Sequence, residues 1–479
     1  MLNAHATLDI KESIIEHTQQ TSLHGVSNIT SNKKSKVQKA AWVVLFLLST
    51  SVFLYFLSKV LIRYFSYPVS TIQTNIPATH LDLPCLTICN HNIMRKSYIN
   101  QLPPEHHVLG EVFKYFGPVM VASKLNPEET LRNIVLHNLS DINLEDVGQL
   151  GAQQFDEMVV HYNIGQTINS NPEGIVESRF SQGGYCHTIH PASYIDEHGG
   201  MKIFRAGIKG GIAMVININK DDYYASVEGS TGIKLLVHSP DDEPLMNEAS
   251  ISVSPGTHAK IMISRKDIKN LPYGPNSCLD ISDDSFHNPL QYFSQYSYNG
   301  CITECLVNFL NQSCGCRFYF HHAESIPVCS IEKTVTCAIP QSVLYYKTPS
   351  IEESCACIRQ CHRTDYQMSI SLSDFPSSDA ASYLLNHQVN ENNSLSLIYV
   401  YFGELGYTLL EHVASYPAAS VFGDIGGLMG LCMGASLLTL AEFVEFVTVL
   451  CCACCKRSKA TTAIVMPQED VMEKSDPKD

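Results

Sequence analysis

Two long apolar runs, Ala40 to Leu57 and Ala418 to Cys455, bracket about 350 residues of mixed polarity. Few folds accommodate that layout, because an almost uncharged run of this length crosses a bilayer as a helix. The first run reaches full spanning length once Val60 to Ile62 are added, with Lys59 near one end, where its ammonium reaches the headgroups. The second is longer than one crossing requires. A cleaved leader is the competing reading of the first run, but it begins some 40 residues in and no convincing small-residue cleavage site follows. Lys33, Lys34, Lys36 and Lys39 precede the first run, and Lys456, Arg457 and Lys459 follow the second. Basic residues concentrate on cytosolic flanks, which places both termini in the cytosol and the middle of the chain outside. The expected organisation is a cytosolic tail 1–39, a span 40–62, an exterior domain 63–415, a second span 416–455 and a cytosolic tail 456–479.

Cysteine placement agrees independently. Cys85, Cys89, Cys186, Cys278, Cys301, Cys305, Cys314, Cys316, Cys329, Cys337, Cys355, Cys357 and Cys361 all fall between the spans, where oxidising conditions preserve disulfides. Their number is odd, so one thiol stays free or pairs between chains, and Cys85 is the candidate. Spacings of CxxxC and CxC differ from the paired CxxC knuckles of zinc sites, and no metal or other cofactor is expected. Cys301 and Cys305 on one helix face would lie about 6 Å apart along the axis. Cys355 and Cys357 on one strand face would lie about 6.6 Å apart, so two antiparallel rungs, Cys301 to Cys357 and Cys305 to Cys355, fit, with Cys278 to Cys361 outside them. Asn138, Asn311 and Asn392 each open an N-x-S triplet in the same region and are candidate glycosylation sites.

The net charge is -15, and apart from the lysines beside the spans no basic stretch of the nucleic-acid-binding kind is present. An acidic exterior draws cations instead. The exterior domain reads as α+β: strand-like alternation at Ile212 to Ile218 and Ile233 to His238, a helix over Glu128 to Asn138 opened by Pro127, and a buried strand at Leu395 to Phe402. It carries no G-x-S-x-G elbow, no H-E-x-x-H and no P-loop, so no enzyme is expected.

The second span holds the chemistry. Gly426, Gly430 and Gly434 recur every fourth residue, a ladder that lets helices approach closely in lipid. Packing alone is one reading of that ladder. Asp424 lies within the apolar run, and Glu442 and Glu445 share a helix face near its cytosolic end; acids in lipid are costly unless they meet water or a partner. In a symmetric oligomer each becomes a ring of carboxylates that favours cations. Glu442 and Glu445 also fit simple snorkelling to the interface, and Cys451, Cys452, Cys454 and Cys455 fit either palmitoylation or an apolar helix end.

Leu83-Pro84-Cys85-Leu86-Thr87-Ile88-Cys89-Asn90, the exterior cysteine array, Gly423 to Gly427 and Gly434-Ala435-Ser436 together resemble the degenerin/epithelial sodium channel/acid-sensing ion channel superfamily, over Leu23 to about Phe446. The resemblance implies a plasma-membrane protein with two transmembrane helices and a large disulfide-rich α+β extracellular domain shaped like a hand gripping a ball. It implies a homo- or heterotrimer in membrane lipid, conducting sodium ions and blocked by amiloride. By the same resemblance His24-Gly25 is the gating motif that lines the lower pore, and Gly434, Ala435 and Ser436 are the selectivity filter that breaks the second helix. Ser420 is the position where bulky side chains hold the pore open, with amiloride expected near Ser420 and Gly423. The implied disulfides are Cys89–Cys186, Cys278–Cys361, Cys301–Cys357, Cys305–Cys355, Cys314–Cys337 and Cys316–Cys329.

The trigger is less tightly constrained. In the acid-sensing branch, carboxylates of the finger face two aspartates of the thumb; here Asp241, Asp242 and Glu243 match the finger side, but the thumb positions hold Ile339 and Val343. That departure favours an extracellular neuropeptide as activator, with protons as the alternative, and constitutive or mechanical gating after them. His187, His190, His321 and His322 are exterior groups able to titrate. ATP-gated trimeric receptors share the two-span plan but use a lysine cluster that is missing here, and a two-span surface receptor is the non-channel alternative.

Overall fold

The computed structural model describes residues 18, 21, 23–31, 33–116, 127–136, 139, 142–165, 174–274, 277–379 and 394–448. Asn138, Asn392, the cysteines 451–455 and the tail 456–479 lie outside them. The chain divides into two compact units, one made of residues 1–70 and 414–479 and the other of residues 71–413.

The first unit is built on the helix Lys36–Phe65. Ser35 starts it: its hydroxyl accepts from Gln38 N–H while the Gln38 side chain returns to the Ser35 N–H, satisfying two orphan donors at once. At 30 residues it extends roughly 45 Å by the usual rise, and no side chain along it is buried, so its apolar surface points outward all round. This helix is long and apolar enough to cross a membrane. Ala418–Met433 and Leu437–Thr448 pass the same test together, bent by 76° at the break between them. Gly434 makes the break: it sits at φ 65°, the left-handed conformation that ends helices at glycine.

The second unit is α+β. A six-stranded sheet runs in the order His362–Asp374, Thr257–Lys269, Leu395–Ala414, Ile212–Asn217 and Val159–Ile164, with Val69–Pro77 also paired to Leu395–Ala414. A five-stranded antiparallel sheet runs Ile251–Val253, Ile233–His238, Cys85–Asn90, Gly184–Ile189 and Val176–Ser181. Ile88, Ile189, Ile233 and Leu235 of the second sheet join Ile212, Ile216, Ile261 and Ile398 of the first in one core. Ile212–Asn217 alternates buried and half-buried as its pattern predicts. Ile233–His238 does not: all six residues are buried, because Leu236 on its other face packs with Met246 against the Cys89–Cys186 disulfide. The predicted strand at Leu395 to Phe402 continues to Ala414, and the helix opened by Pro127 ends at Leu136.

Six disulfides cross-link this unit: Cys89–Cys186, Cys278–Cys361, Cys301–Cys357, Cys305–Cys355, Cys314–Cys337 and Cys316–Cys329. Cys301 and Cys305 sit on the helix Tyr298–Cys314, which Ser297 caps by accepting from Gly300 N–H and Gly315 ends at φ 70°. Cys355 and Cys357, in contrast to the strand expected for them, lie in a turn around Ala356 at φ 50°. The rungs still form, since sulfur reach rather than backbone rise decides which cysteines meet. Asn311 is exposed on the same helix.

Candidate functional site

In the first unit the sequence motifs converge on the helix break. Gly25 at φ 90° opens the short helix Val26–Thr30, its carbonyl accepting from Asn28 and Ile29 N–H. That turn delivers His24, whose N–H donates to the carbonyl of Met433 at 2.9 Å. The contact is close enough that a Cβ on Gly434 would lie 2.4 Å from the His24 ring. Ala435 is buried, Ser436 is exposed, and Ser436 N–H donates to the Thr439 hydroxyl at 3.0 Å, which restarts the helix. The Ser49 hydroxyl donates to the carbonyl of Cys432, tying the first helix to the approach to the break.

Toward the other end of Ala418–Met433, Ser420 is half-buried and Gly423 and Asp424 are exposed. A Cβ on Gly423, Gly426 or Gly427 would meet nothing within 4 Å, so this face is open in the single chain. Asp424 accepts a hydrogen bond from the Tyr416 hydroxyl. Glu442 is half-buried and Glu445 exposed beyond the break.

The second unit has a separate acidic cleft. The strand Ile233–His238 leads directly into Asp241, Asp242 and Glu243, and these line a cavity of about 330 Å³ together with Glu177, Asp196 and Arg179. Five carboxylates thus face one guanidinium. Glu243 takes that guanidinium, 3.2 Å away. Asp242 receives the Asn299 amide at 2.9 Å, and burial, reinforced by Glu243 and partly offset by a hydrogen bond from Ser297, pushes its carboxyl up to about 6. Asp241 is also raised, by burial and then by Asp196. His238, between Thr87 (2.8 Å) and the carbonyl of Ser239 (2.8 Å), is pushed down to about 4 by burial. Cys85 also lines the cleft: its thiol is free but buried, donates to the carbonyl of His190 at 3.1 Å, and burial pushes it up to about 12, so it is an inert thiol rather than a reactive one.

Ile339 and Val343 fall on the helix Ile339–Lys347, with Val343 exposed, and neither brings a carboxylate to the cleft. Three of the four histidines expected to titrate outside are in fact buried. Burial lowers His187 to about 4 and His321 to about 3 and also depresses His190; His322 is half-buried, with its ring nitrogen 2.8 Å from the carbonyl of Phe180. Glu177, Asp196 and Arg179 escaped the sequence reading because they come from other elements and carry no local pattern; the Asp241 to Glu243 run was the one legible signal.

The family model described as amiloride-sensitive sodium channel matches residues 18–446. Among curated relatives, acid-sensing ion channel 1B of Danio rerio is 25% identical over 436 residues, covering 88% of this chain and 74% of that protein. Acid-sensing ion channel 1 of Gallus gallus is 26% identical, covering 90% and 83%, and acid-sensing ion channel 2 of Rattus norvegicus is 26% identical, covering 91% and 88%. A solved proton-activated chloride channel aligns with 85% of this chain and 97% of its own at 8% identity and a TM-score of 0.30, too slight a likeness to build on.

Proposed function

The chain belongs to the amiloride-sensitive sodium channel family, and we propose that it is one subunit of a trimeric plasma-membrane channel opened by a cationic extracellular peptide that binds the acidic cleft. Family membership makes it a sodium-permeable ion channel and not an enzyme. In this reading the bent second segment lines the pore, Gly434, Ala435 and Ser436 form the filter, and His24-Gly25 supports it from the cytosolic side. Ser420, Gly423 and Asp424 form the outer gate and amiloride region, Glu442 and Glu445 the inner mouth, and both termini are cytosolic. The open face at Gly423, Gly426 and Gly427 supports close approach of further copies around an axis.

The observation that carries the peptide reading is the cleft itself, where five carboxylates face a single arginine already paired to Glu243. Such a cavity attracts an arginine or lysine side chain and holds it by charge-assisted hydrogen bonds. Expression in oocytes tests it: peptide fractions should evoke sodium current that amiloride blocks. Neutralising Asp241, Asp242 and Glu243 to their amides should raise the half-activating peptide concentration about tenfold or more while leaving the current of a Ser420→Phe channel intact. Peptide responses untouched by all three amides would sink the cleft as the ligand site. The second reading, activation by protons, is favoured by Asp242, which titrates near 6. Acid-evoked current that Asp242→Asn abolishes, with no response to peptides, would select it.

A further inference from the structure

Charge at one end of the membrane helices is left unused by the pore assignment. Lys59 and Arg63 lie four residues apart on the helix Lys36–Phe65, hence on one face in its closing turns. The Arg63 guanidinium sits 4.6 Å from the centre of the Tyr416 ring, and the Tyr416 hydroxyl donates to the Asp424 carboxylate nearly two turns into the second helix. Lys59, Arg63, Tyr416 and Asp424 together line a cavity of about 380 Å³ whose apolar wall is Phe56, Val60 and Leu428. Beside it the Ser415 N–H and hydroxyl both donate to the carbonyl of Pro68, each at 2.9 Å, so the backbone leaving the first helix is tied to the backbone entering the second. A cation over an aromatic face fixes the ring and strengthens its hydroxyl as a donor. The acid in the apolar run therefore has its partner within its own chain.

We propose that Tyr416 and Arg63 are positioning residues that hold the Asp424 carboxylate against the first span of its own subunit and so keep a ring of three carboxylates from closing around the outer pore. The proposal rests on the second span lining the pore of a trimer. Asp424 is exposed; Gly423 and Gly427 line the cavity with it, and Gly426, where a Cβ would meet nothing within 4 Å, leaves the neighbouring face open. Removing the hydroxyl takes away the hydrogen bond that holds the carboxylate against the first span, leaves it to the looser pull of Lys59 and Arg63 across the cavity, and so raises the share of carboxylates that turn to the axis. Three converging carboxylates make an oxygen site suited to a divalent cation.

Tyr416→Phe deletes the hydroxyl and keeps the ring beneath Arg63. Losing a hydrogen bond to a charged group shifts the two placements by about tenfold. External calcium should then block sodium current at about tenfold lower concentration in Tyr416→Phe, and Arg63→Gln should move the block the same way. Arg63→Lys, which retains the cation, should stay near wild type. The decisive arm is the double variant Tyr416→Phe with Asp424→Asn, in which the gained block should vanish. The sodium-to-potassium reversal potential should not move in Tyr416→Phe or Arg63→Gln, since the filter is untouched. Currents are recorded under acid, under peptide fractions and in the Ser420→Phe background. Unchanged calcium block in both Tyr416→Phe and Arg63→Gln, or a gain that survives Asp424→Asn, overturns the positioning role. Wild-type sodium current in the same cells separates the two claims: its loss counts against the pore reading, whereas normal current with unchanged block counts against the positioning alone.

Discussion

Asp242 shows how much one side chain's surroundings decide. Its place in the run Asp241-Asp242-Glu243 is legible from the sequence, but what faces it is not: the helix Tyr298–Cys314 presents Asn299, whose amide donates to its carboxylate. Burial supplies most of the rise in its pKa, and the neighbouring Glu243 charge adds to it. The sign of the consequence follows. With its folded pKa at about 6, above the unfolded 3.8, Asp242 takes up a proton in the folded state first, so its contribution to stability grows as pH falls through 6 and is complete below the unfolded value. At neutral pH the buried charge costs on the order of 3 kcal/mol. Asp242→Asn should therefore raise the thermal midpoint at neutral pH and, by removing this opposing gain, steepen the net loss on acidification between pH 6 and 4, as read by differential scanning of the detergent-purified chain. A variant whose pH profile matches wild type would show that Asp242 titrates as an ordinary surface acid.

Among elements, the second membrane segment was only half visible in the sequence. A continuous apolar run says nothing about a 76° bend, since hydropathy is blind to backbone direction. The glycine triplet marked where the bend belongs, and the φ of 65° at Gly434 is the physical reason a glycine is needed there. That His24 would be the residue filling the angle was beyond any local pattern, because the contact spans about 400 residues of chain. Gly434→Ala adds both a left-handed backbone penalty of roughly 1 kcal/mol and a methyl 2.4 Å from the His24 ring. It should shift the sodium reversal potential toward that of potassium and lower current at equal surface expression. Adding His24→Ala should return part of the current by making room for the methyl. Unaltered selectivity in Gly434→Ala would detach the break from the filter. Elsewhere the sequence misjudged backbone but not partnership: Cys355 and Cys357 left their expected strand and kept their sulfur partners, because cross-links tolerate many backbone paths.

For the molecule as a whole, acid acts in two opposite directions, and the buried histidines set the larger one. His187 and His238 each hold one ring nitrogen against a carbonyl, of Gln153 and Ser239, and the other against a hydroxyl, of Ser178 and Thr87, so the neutral ring is fully satisfied. His321 has neither nitrogen bonded and lies beside the Arg317 guanidinium, which is itself committed to the carbonyls of Phe318, His321, Ala323 and Ile326. Protonating any of the three places a charge where water does not reach. Their folded pKa values of about 4, 4 and 3 lie below the unfolded 6.5, so the unfolded chain binds protons first and stability falls as pH drops from 6.5 toward 4. Fully expressed, each such shift is worth about 3 to 5 kcal/mol, and the opposing gain from Asp242 offsets about one of them. The purified chain should therefore lose thermal stability steadily on acidification through this window, while its six disulfides limit how far it unfolds. His321→Leu keeps an apolar body between Phe318 and Phe320 and removes the titrating group, so the slope of thermal midpoint against pH should fall by about half, with the midpoint at neutral pH little changed. An undiminished slope in His321→Leu would mean that His321 stays neutral through this window and that His187 and His238 carry the loss, since the raised carboxyls of the cleft act in the opposite direction.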